Sequence, residues 1–332
     1  MNDGKDSKIG LLGFGSYTPD RVMTNREWSE LIDTSNEWII ARTGIEERRI
    51  ADASQSTLDL ALEAARAALD DAGLGAEEID EIVVATDTPE VYIPDTASYL
   101  QHHLGAGEIP AYDLAGSGCA GYLLALDIAR SRCRGTSRRV LVVGVELLTR
   151  LMNWEDRNTC VLFGDAAGAA VVGTSDDAIE ILASAAGTDG SKADILSLEA
   201  GGTRVPFSLD AARRGLHKKI VMKGREVFRQ AVHRMSQVSR EVLDQAGVSL
   251  EEVALVVPHQ ANLRILRAVT RALELPEDKL FINVQKFGNT GSASVPLALD
   301  QARQQGRIAT GDLVLLTSFG AGFHWAALLL RF

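Results

Sequence analysis

The chain contains two copies of one sequence pattern, and this duplication constrains its fold more than any other feature. Residues 116–130 (GSGCAGYLLALDIAR) align without gaps with residues 289–303 (NTGSASVPLALDQAR), and eight of the fifteen positions are identical. Residues 69–79 and 243–253 match at nearly the same spacing, with six identities in eleven positions. A repeat of about half the chain indicates a duplicated domain rather than a solenoid of short units.

Short apolar segments alternate with helical patterns in both copies, which predicts a layered α/β fold with mostly parallel central strands. In the first copy we expect helices over 56–72, 95–104 and 118–132, and strands over 81–86, 110–114 and 139–145. In the second copy we expect helices over 221–246, 261–273 and 292–304, and strands over 254–257, 281–284 and 313–318. The small residues of 118–130 and 291–302 predict helices buried between two sheets. We divide the halves, 1–174 and 175–332, where polar residues follow an apolar segment.

Composition excludes several classes of protein. Of 332 residues, 46% are hydrophobic and 24% are charged, as in ordinary globular proteins. The net charge of −11 argues against general nucleic-acid binding. Apolar runs such as Val140–Val145 are too short to span a membrane. The N-terminal segment 1–10 is polar and the three cysteines have no disulfide spacing, so we expect reduced thiols in a cytoplasmic protein. The histidine spacing predicts no metal site.

The two copies differ at positions where chemistry could occur. Cys119 begins the Ala/Leu-rich helix of the first copy, whereas the second copy has Ser292 there. A helix N-terminus carries partial positive charge, so we expect a lowered thiol pKa and a reactive thiolate. The glycines around Cys119 would let a substrate approach the backbone closely. The alternative is a buried structural cysteine.

Two further polar residues occupy strand-to-helix turns of the second copy. His259 follows the apolar strand in VVPHQAN and replaces Ala85 of the first copy. Asn289 lies in FGNTGSAS, where it could also be a simple helix cap. Sites in α/β proteins lie where strands end. A pseudo-twofold arrangement of the copies would therefore bring Cys119, His259 and Asn289 together.

A local excess of positive charge stands out on this acidic chain. Between Arg213 and Arg234 there are eight Lys or Arg residues and one acid, Glu226. The next helix adds Arg264, Arg267 and Arg271, spaced to share one face. The pattern indicates an anionic ligand or partner, with a solvated helix face as the alternative.

Taken together, these residues resemble the beta-ketoacyl-ACP synthase III family from the N-terminal strand to Phe332. The resemblance is carried by six stretches in the same order as in the family: TSNEWIIARTGIEERRI (34–50), WEDRNTCVLFGDAAGAA (154–170), MKGREVF (222–228), VPHQANLRI (257–265), FGNTGSASVP (287–296) and SFGAGFHWAALLLRF (318–332). It implies a duplicated thiolase fold with α-β-α-β-α layers, and a homodimer.

The resemblance also implies a reaction and its residues. Cys119, His259 and Asn289 would form the catalytic triad, and Trp38, Arg42, Arg157 and Arg264 would line a coenzyme A tunnel. Cys119 would take an acyl group from an acyl-CoA, which is a substrate, so that no cofactor is expected. His259 and Asn289 would stabilise the enolate formed when malonyl-ACP loses CO2, and the products would initiate fatty acid synthesis. An acidic acyl carrier protein would dock on a basic patch of Arg229, Arg264 and Arg267.

The chain departs from the family pattern in four places. The nucleophile region is Ser117-Gly118-Cys119-Ala120-Gly121, and the asparagine loop 288–294 contains Gly291 and Ser292. The C-terminal Gly-Gly-Gly-Phe becomes Gly320-Ala321-Gly322-Phe323, which would be strained if Ala321 needed a positive φ. Ile93 stands where a partner-subunit gate is often aromatic.

Three other functions remain open. One is a related acyltransferase of secondary metabolism with a different acceptor. A second is a cysteine hydrolase, because the chain order Cys, His, Asn also suits papain-like chemistry. The third is an inactive scaffold of the same fold.

Overall fold

The computed structural model describes residues 8–332, and positions 1–7 of the polar N-terminal segment lie outside the described residues. The strands are β1 Ile9–Tyr17, β2 Val22–Thr24, β3 Glu47–Arg49, β4 Glu81–Thr86, β5 Ala111–Ala115, β6 Val140–Leu147, β7 Asp165–Thr174, β8 Ile179–Thr188, β9 Leu196–Leu198, β10 Ile220–Met222, β11 Val253–Pro258, β12 Leu313–Gly320 and β13 His324–Arg331. The α-helices are α1 Asn25–Leu31, α2 Asn36–Thr43, α3 Thr57–Ala72, α4 Thr96–Leu104, α5 Gly121–Cys133, α6 Leu209–Arg213, α7 Gly224–Ala246, α8 Leu263–Ala272, α9 Val284–Phe287 and α10 Ser294–Gln304.

Two groups of strands form the centre of the molecule. The first has the order β5-β4-β6-β7-β1 and the second has the order β11-β12-β13-β8. A short antiparallel pairing of Gly10 with Glu180 and Leu11 with Ile179 joins them at β1 and β8. Each group therefore belongs to one copy of the repeat.

Helices α5 and α10 lie between the two groups of strands. Leu123 and Leu126 of α5 and Leu299 of α10 are buried in one core with residues of β4, β6, β12 and β13. Helices α3 and α4 cover the outer face of the first group, and α7 covers the outer face of the second. This gives the expected α-β-α-β-α layers.

The two copies meet around a pseudo-twofold axis. Ser318 of β12 donates a hydrogen bond of 2.7 Å to the carbonyl oxygen of Cys119. At the matching position of the first copy, Gly144 of β6 faces the carbonyl oxygen of Ser292, which would lie 2.8 Å from an added Cβ. Each copy therefore contributes a strand that supports the helix-start turn of the other copy.

Local signals explain the helix boundaries that were predicted well. The backbone N–H of Ser56 donates to Asp59 Oδ2 at 2.6 Å, which completes the capping box at the start of α3. The helix ends at Gly73, whose φ of 64° is left-handed. The predicted boundaries of α3, α4 and β4 are confirmed to within one residue.

Three predictions about the fold are wrong. The central strands are not mostly parallel: among the described strands of the large sheet, β4–β5, β4–β6 and β11–β12 pair in parallel, and the other five pairs are antiparallel. The three-residue connection 321–323, for example, joins β12 to β13 as a hairpin. The helix predicted from 221 begins at Gly224, since the β-branched Ile220 and Val221 pair with β9 instead.

Residues 281–284 do not form a strand. The side-chain oxygen of the buried Gln260 accepts the backbone N–H groups of Asn283 at 3.1 Å and Val284 at 3.3 Å. These donors are therefore satisfied without a neighbouring strand, and the chain turns into α9. The second copy consequently lacks the counterpart of β5.

The division of the chain near 174 stays a prediction. Among residues 8–332, no helix combines the length and apolar composition needed to cross a bilayer.

Candidate active site

The three predicted catalytic residues line one cavity of about 770 Å³. Cys119 follows β5, His259 follows β11, and Asn289 follows the short helix α9. Both copies contribute to the walls, as the pseudo-twofold arrangement predicts. The sequence alone gave the residues, and the fold brings them to one place.

Cys119 lies in a 3-10 turn, Gly118–Ala120, that leads directly into α5. Gly118 has a φ of 59°, and a Cβ there would lie 2.6 Å from the backbone nitrogen of Ala321. A side chain at 118 would therefore be excluded both by conformation and by contact. The turn brings the nucleophile's backbone against the segment that follows β12.

The Cys119 thiol is not acidified in the resting site. Burial raises its pKa above the ordinary value, and the nearby charge of Asp87 acts in the same direction. The expectation of a lowered pKa is therefore wrong, because burial outweighs the helix N-terminus.

His259 is buried and held in a fixed orientation. Its Nδ1 lies 2.6 Å from the Oγ of Ser294, the first residue of α10. Burial lowers the His259 pKa to about 3, so the imidazole is neutral at physiological pH. When Ser294 donates to Nδ1, the proton of the neutral ring is on Nε2, which can then donate a hydrogen bond.

Asn289 is fixed by the backbone on both sides. Its N–H donates to the carbonyl oxygen of Leu162 at 2.8 Å, and its own carbonyl accepts from Gly164 at 3.0 Å. Its side-chain oxygen accepts the N–H of Gly291 at 2.9 Å. The cap-like contact and the catalytic assignment are therefore compatible, because the amide Nδ2 has no hydrogen-bond acceptor among the described residues.

The segment after β12 completes the wall beside Cys119. Gly320 faces the Cys119 turn so closely that a Cβ would lie 2.4 Å from the Cys119 nitrogen. Within this segment the positive φ, 129°, is at Gly322 and not at Ala321. Ala321 thus replaces a glycine at a position that does not require one.

An outer cavity of about 450 Å³ is lined by three of the four predicted coenzyme A residues, Trp38, Arg42 and Arg264. The guanidinium of Arg42 lies 4.3 Å from the centre of the Trp38 ring. Arg157, the fourth residue, lies 5.2 Å from the same ring, but it pairs with Asp33 at 3.2 Å and does not line the cavity. A flat ring flanked by cations suits an aromatic base with phosphates.

The outer and inner cavities adjoin each other. They share five lining residues, which are Leu162, Met222, Val227, Asn262 and Ile265. These shared, largely apolar side chains therefore lie between the Trp38 end of the site and Cys119.

The basic cluster is partly neutralised in the folded protein. Arg229 pairs with Glu226 at 2.6 Å. Acids outside the sequence window pair with others: Glu199 with Lys219 at 2.6 Å, Asp210 with Arg214 at 3.4 Å and Asp189 with Arg234 at 3.7 Å. Arg267 contacts Glu277 at 3.8 Å. Within residues 8–332, Lys218, Lys223, Arg225 and Arg264 make no ion pair, and Arg225 and Arg264 line the outer cavity.

Two acids in the cavity wall were missed by the sequence reasoning. Asp87 and Glu146 follow or end the buried strands β4 and β6, and both line the inner cavity. Their position at the carboxyl ends of parallel strands was the signal that could have identified them. Across the described part of the chain, no three His, Cys, Asp or Glu side chains are grouped to hold a metal ion.

The layered duplicated fold and a cavity shared by Cys, His and Asn define a condensing enzyme of the thiolase type. Sequence profiles described as 3-oxoacyl-[acyl-carrier-protein (ACP)] synthase III and its C-terminal part match residues 112–190 and 243–332. The chain is 47% identical to a beta-ketoacyl-[acyl-carrier-protein] synthase III of Caldanaerobacter subterraneus subsp. tengcongensis over 323 residues, which cover 97% of each chain.

Solved structures agree with this similarity. The 3-oxoacyl-[acyl-carrier-protein] synthase III of Aquifex aeolicus has a TM-score of 0.89 at 45% identity, covering 98% of this chain and 100% of that chain. The priming beta-ketosynthase of the R1128 polyketide biosynthetic pathway has a TM-score of 0.89 at 37% identity, covering 100% of this chain and 98% of that chain. The chain belongs to the beta-ketoacyl-ACP synthase III family. The predicted family, thiolase fold and acyltransferase activity in acyl-CoA-primed condensation for fatty acid synthesis are thereby confirmed.

Proposed function

We propose that this enzyme condenses an acyl-CoA primer with malonyl-ACP through an acyl-Cys119 intermediate. The observation that supports this most directly is that the cavity lined by Trp38 and the arginines adjoins the cavity lined by Cys119, His259 and Asn289. Coenzyme A is part of a substrate in this reaction and not a resident cofactor.

In the first half-reaction, the Cys119 sulfur attacks the thioester carbonyl of the acyl-CoA. The carbon–sulfur bond to coenzyme A breaks, and the thiol proton of Cys119 ends on the released coenzyme A sulfur. The backbone N–H groups of Cys119 and Ala321 lie on facing segments and would stabilise the negative oxygen of the intermediate.

In the second half-reaction, malonyl-ACP loses CO2 and leaves an enolate on the thioester. Nε2–H of His259 and Nδ2–H of Asn289 donate to its oxygen, where neutral donors suit an anion better than a carboxylate would. The enolate carbon attacks the acyl-Cys119 carbonyl, and the Cys119 sulfur leaves and takes up a proton. The product is a beta-ketoacyl-ACP.

The carrier protein is assigned to the basic patch of Arg229, Arg264 and Arg267. The free guanidinium of Arg264 at the outer cavity supports this assignment, since acidic surfaces are attracted to unpaired cations. Arg229 and Arg267 already contact acids, so their contribution would be smaller.

The enzyme would act as a homodimer in the cytoplasm. Side chains near the cavity leave apolar surface exposed in the single chain, notably Tyr92, Ile93 and Phe207. A second copy would cover them, and Ile93 would reach the partner's acyl pocket. The three free cysteines are consistent with a reducing compartment.

The test is intact-mass analysis after mixing with acetyl-CoA, with and without malonyl-ACP. We expect an acyl adduct that persists alone and disappears only with malonyl-ACP, and no adduct in Cys119→Ser. Cys133→Ser is the matched control, because Cys133 is buried in α5 away from the cavity. Loss of the adduct to water would support a hydrolase, and absence of any adduct would support a scaffold or an enzyme that uses a different primer.

The similarity to a priming ketosynthase of a polyketide pathway favours one alternative, an acyltransferase of secondary metabolism. The same assay distinguishes it. A set of acyl-CoA primers and acceptors that resolves the adduct with something other than malonyl-ACP would favour that function.

A further inference from the structure

Glu146 is a buried acid at the end of β6 that the two half-reactions do not use. Its side chain is 1% exposed and lies in the wall of the inner cavity. It receives hydrogen bonds from two different segments of the chain, one before the nucleophile and one after Asn289. Such a side chain can fix the two segments relative to each other.

The first segment is the loop that follows β4. The N–H of Asp87 lies 3.2 Å from both carboxyl oxygens of Glu146, and the hydroxyl of Thr88 donates to it at 2.8 Å. Asp87 in turn accepts the N–H of Gly118 at 3.3 Å. Glu146 is thus linked, through Asp87, to the residue immediately before Cys119.

The second segment is the turn between Asn289 and Ser294. The hydroxyl of Ser292 lies 3.0 Å from Glu146 Oε1. The backbone of Gly291 packs on the Glu146 side chain so closely that a Cβ would lie 2.7 Å from its Cγ. The N–H of Gly291 orients the Asn289 side-chain amide, and Glu146 packs against Gly291. Glu146 therefore helps to hold that amide in place through Gly291.

Ser292 is the counterpart of Cys119 in the duplicated sequence. Its hydroxyl has one hydrogen, yet it lies 2.9 Å from the carbonyl oxygen of Ala85 as well as 3.0 Å from Glu146. Burial raises the pKa of Glu146 well above its ordinary value, and the charge of Asp87 adds to this. A proton on Glu146 would let both contacts of Ser292 form as hydrogen bonds.

We propose that Glu146 is a positioning residue that holds Asn289 and Cys119 in fixed relation, through Ser292 on one side and Asp87 on the other. Ser292, which corresponds to Cys119 in the second copy, thus makes a contact with Glu146 that joins the two halves. This inference rests on the proposed function, because it concerns the groups assigned to acyl transfer and decarboxylation.

The experiment measures both half-reactions separately in the full-length protein. Acylation is followed by intact mass with acetyl-CoA, and decarboxylation by CO2 release from malonyl-ACP. The variants are Ser292→Ala, Glu146→Leu, Glu146→Gln and Asn289→Ala. Ser16→Ala is the matched control, since its hydroxyl also donates to a carboxylate, Asp300, at 2.7 Å, but outside the cavity.

Ser292→Ala should slow CO2 release by about fivefold to hundredfold, the range for leaving a buried polar partner without its hydrogen bond, with acylation within about threefold of wild type. Glu146→Leu should slow both half-reactions. Glu146→Gln should restore most of that loss, because its amide can donate to Ser292 and accept from Thr88 and Asp87. Ser16→Ala should lower thermal stability without altering the ratio of the two rates.

The inference is overturned if Ser292→Ala releases CO2 at the wild-type rate while Asn289→Ala does not. It is also overturned if the two half-reactions are as slow in Glu146→Gln as in Glu146→Leu. The same holds if Ser16→Ala changes the ratio of the acylation rate to the CO2-release rate as much as Ser292→Ala does. If Asn289→Ala itself leaves CO2 release unchanged, the proposed role of Asn289 fails, and the positioning role fails with it.

Discussion

The Nδ1 atom of His259 lies 2.6 Å from the Oγ of Ser294, and both residues are buried. The two residues come from different elements, the turn after β11 and the start of α10. This contact holds Nδ1 against Ser294 and so fixes the orientation of the ring. When the Ser294 hydroxyl donates to Nδ1, the proton of the neutral imidazole is on Nε2. The function of His259 therefore depends on a residue that does not itself line the cavity.

Removing this contact should affect decarboxylation more than acylation. In Ser294→Ala the imidazole loses the partner that sets its tautomer, so we expect CO2 release from malonyl-ACP to fall by about threefold to thirtyfold, the range for one buried hydrogen bond. Acylation of Cys119 by acetyl-CoA should change less. Equal losses in the two half-reactions would argue that His259 acts mainly as a base for the thiol.

The buried His259 should make stability depend on pH. Unfolded, it titrates near its ordinary pKa of about 6.5, whereas in the folded protein burial lowers the pKa to about 3. Below pH 6.5 the unfolded state therefore binds more protons, and stability falls as the pH is lowered towards 3. This histidine should account for about 2 kcal/mol of the loss between pH 7 and pH 5.

Urea unfolding at pH 7 and pH 5 checks this prediction. His259→Ala should be less stable at both values but should lose about 2 kcal/mol less on acidification. His103→Ala is the control, because His103 is exposed at the end of α4. An unchanged difference between the two pH values in His259→Ala would mean that another group carries the dependence.

Substitution of Gly322 should slow the two half-reactions strongly, whereas substitution of Ala321 should change them little. Gly322→Ala forces a side chain into a φ of 129° and places its Cβ 2.2 Å from the His324 ring, so the wall beside Cys119 must shift. We expect both half-reactions to slow by about tenfold or more. Ala321→Gly should stay within about threefold of wild type. A large effect of Ala321→Gly would show that the methyl group itself matters.

Charge reversal on the basic patch should weaken use of malonyl-ACP. Arg229→Glu, and more strongly Arg264→Glu, should raise KM for malonyl-ACP by several-fold, and added salt should reduce the difference from wild type. Arg66→Glu on α3 is the matched control for Arg229→Glu, because Arg66 also pairs with a glutamate three residues earlier, at 2.9 Å. Equal effects of Arg229→Glu and Arg66→Glu on KM for malonyl-ACP would show that the basic patch is a solvated surface and does not bind the carrier protein.

The size of residue 93 should set primer choice if the proposed dimer forms. Ile93 is 82% exposed in the single chain, so Ile93→Phe should fold normally. In a filled pocket the added volume should lower kcat/KM for long acyl-CoAs by about tenfold to hundredfold relative to acetyl-CoA. Leu31→Phe, at a side chain that is 61% exposed, is the control. An unmoved ratio would place chain-length selection elsewhere.

The repeat was the part of the fold that could be predicted most fully. Identities between 116–130 and 289–303 anticipated two turns that support each other across a pseudo-twofold axis. Residues 281–284 could not be assigned correctly, because the buried side chain of Gln260 takes the hydrogen bonds that a strand would need. Periodicity does not reveal such a contact between positions far apart in the chain.

The site shows the same division. Residue type and location after predicted strands indicated Cys119, His259 and Asn289 as candidates, because these are properties of the local sequence, although the segment before Asn289 forms a short helix and not a strand. The acidity of the thiol could not be predicted, since it depends on burial and on Asp87, which follows another strand and lies near Cys119 only in the folded chain. Pairing of the basic residues was also hidden, because Asp189 and Glu199 approach them only after folding.

The arrangement of the two adjoining cavities, from Trp38 to Cys119, determines the order in which substrates can bind. Under the proposed function, acyl-CoA and malonyl-ACP use the same route past Met222 and Ile265, so they cannot occupy it together. Released coenzyme A must leave before the second thioester enters. A large excess of either thioester would therefore inhibit binding of the other. The turnover rate would then depend on the ratio of the acyl-CoA and malonyl-ACP concentrations and not on their sum.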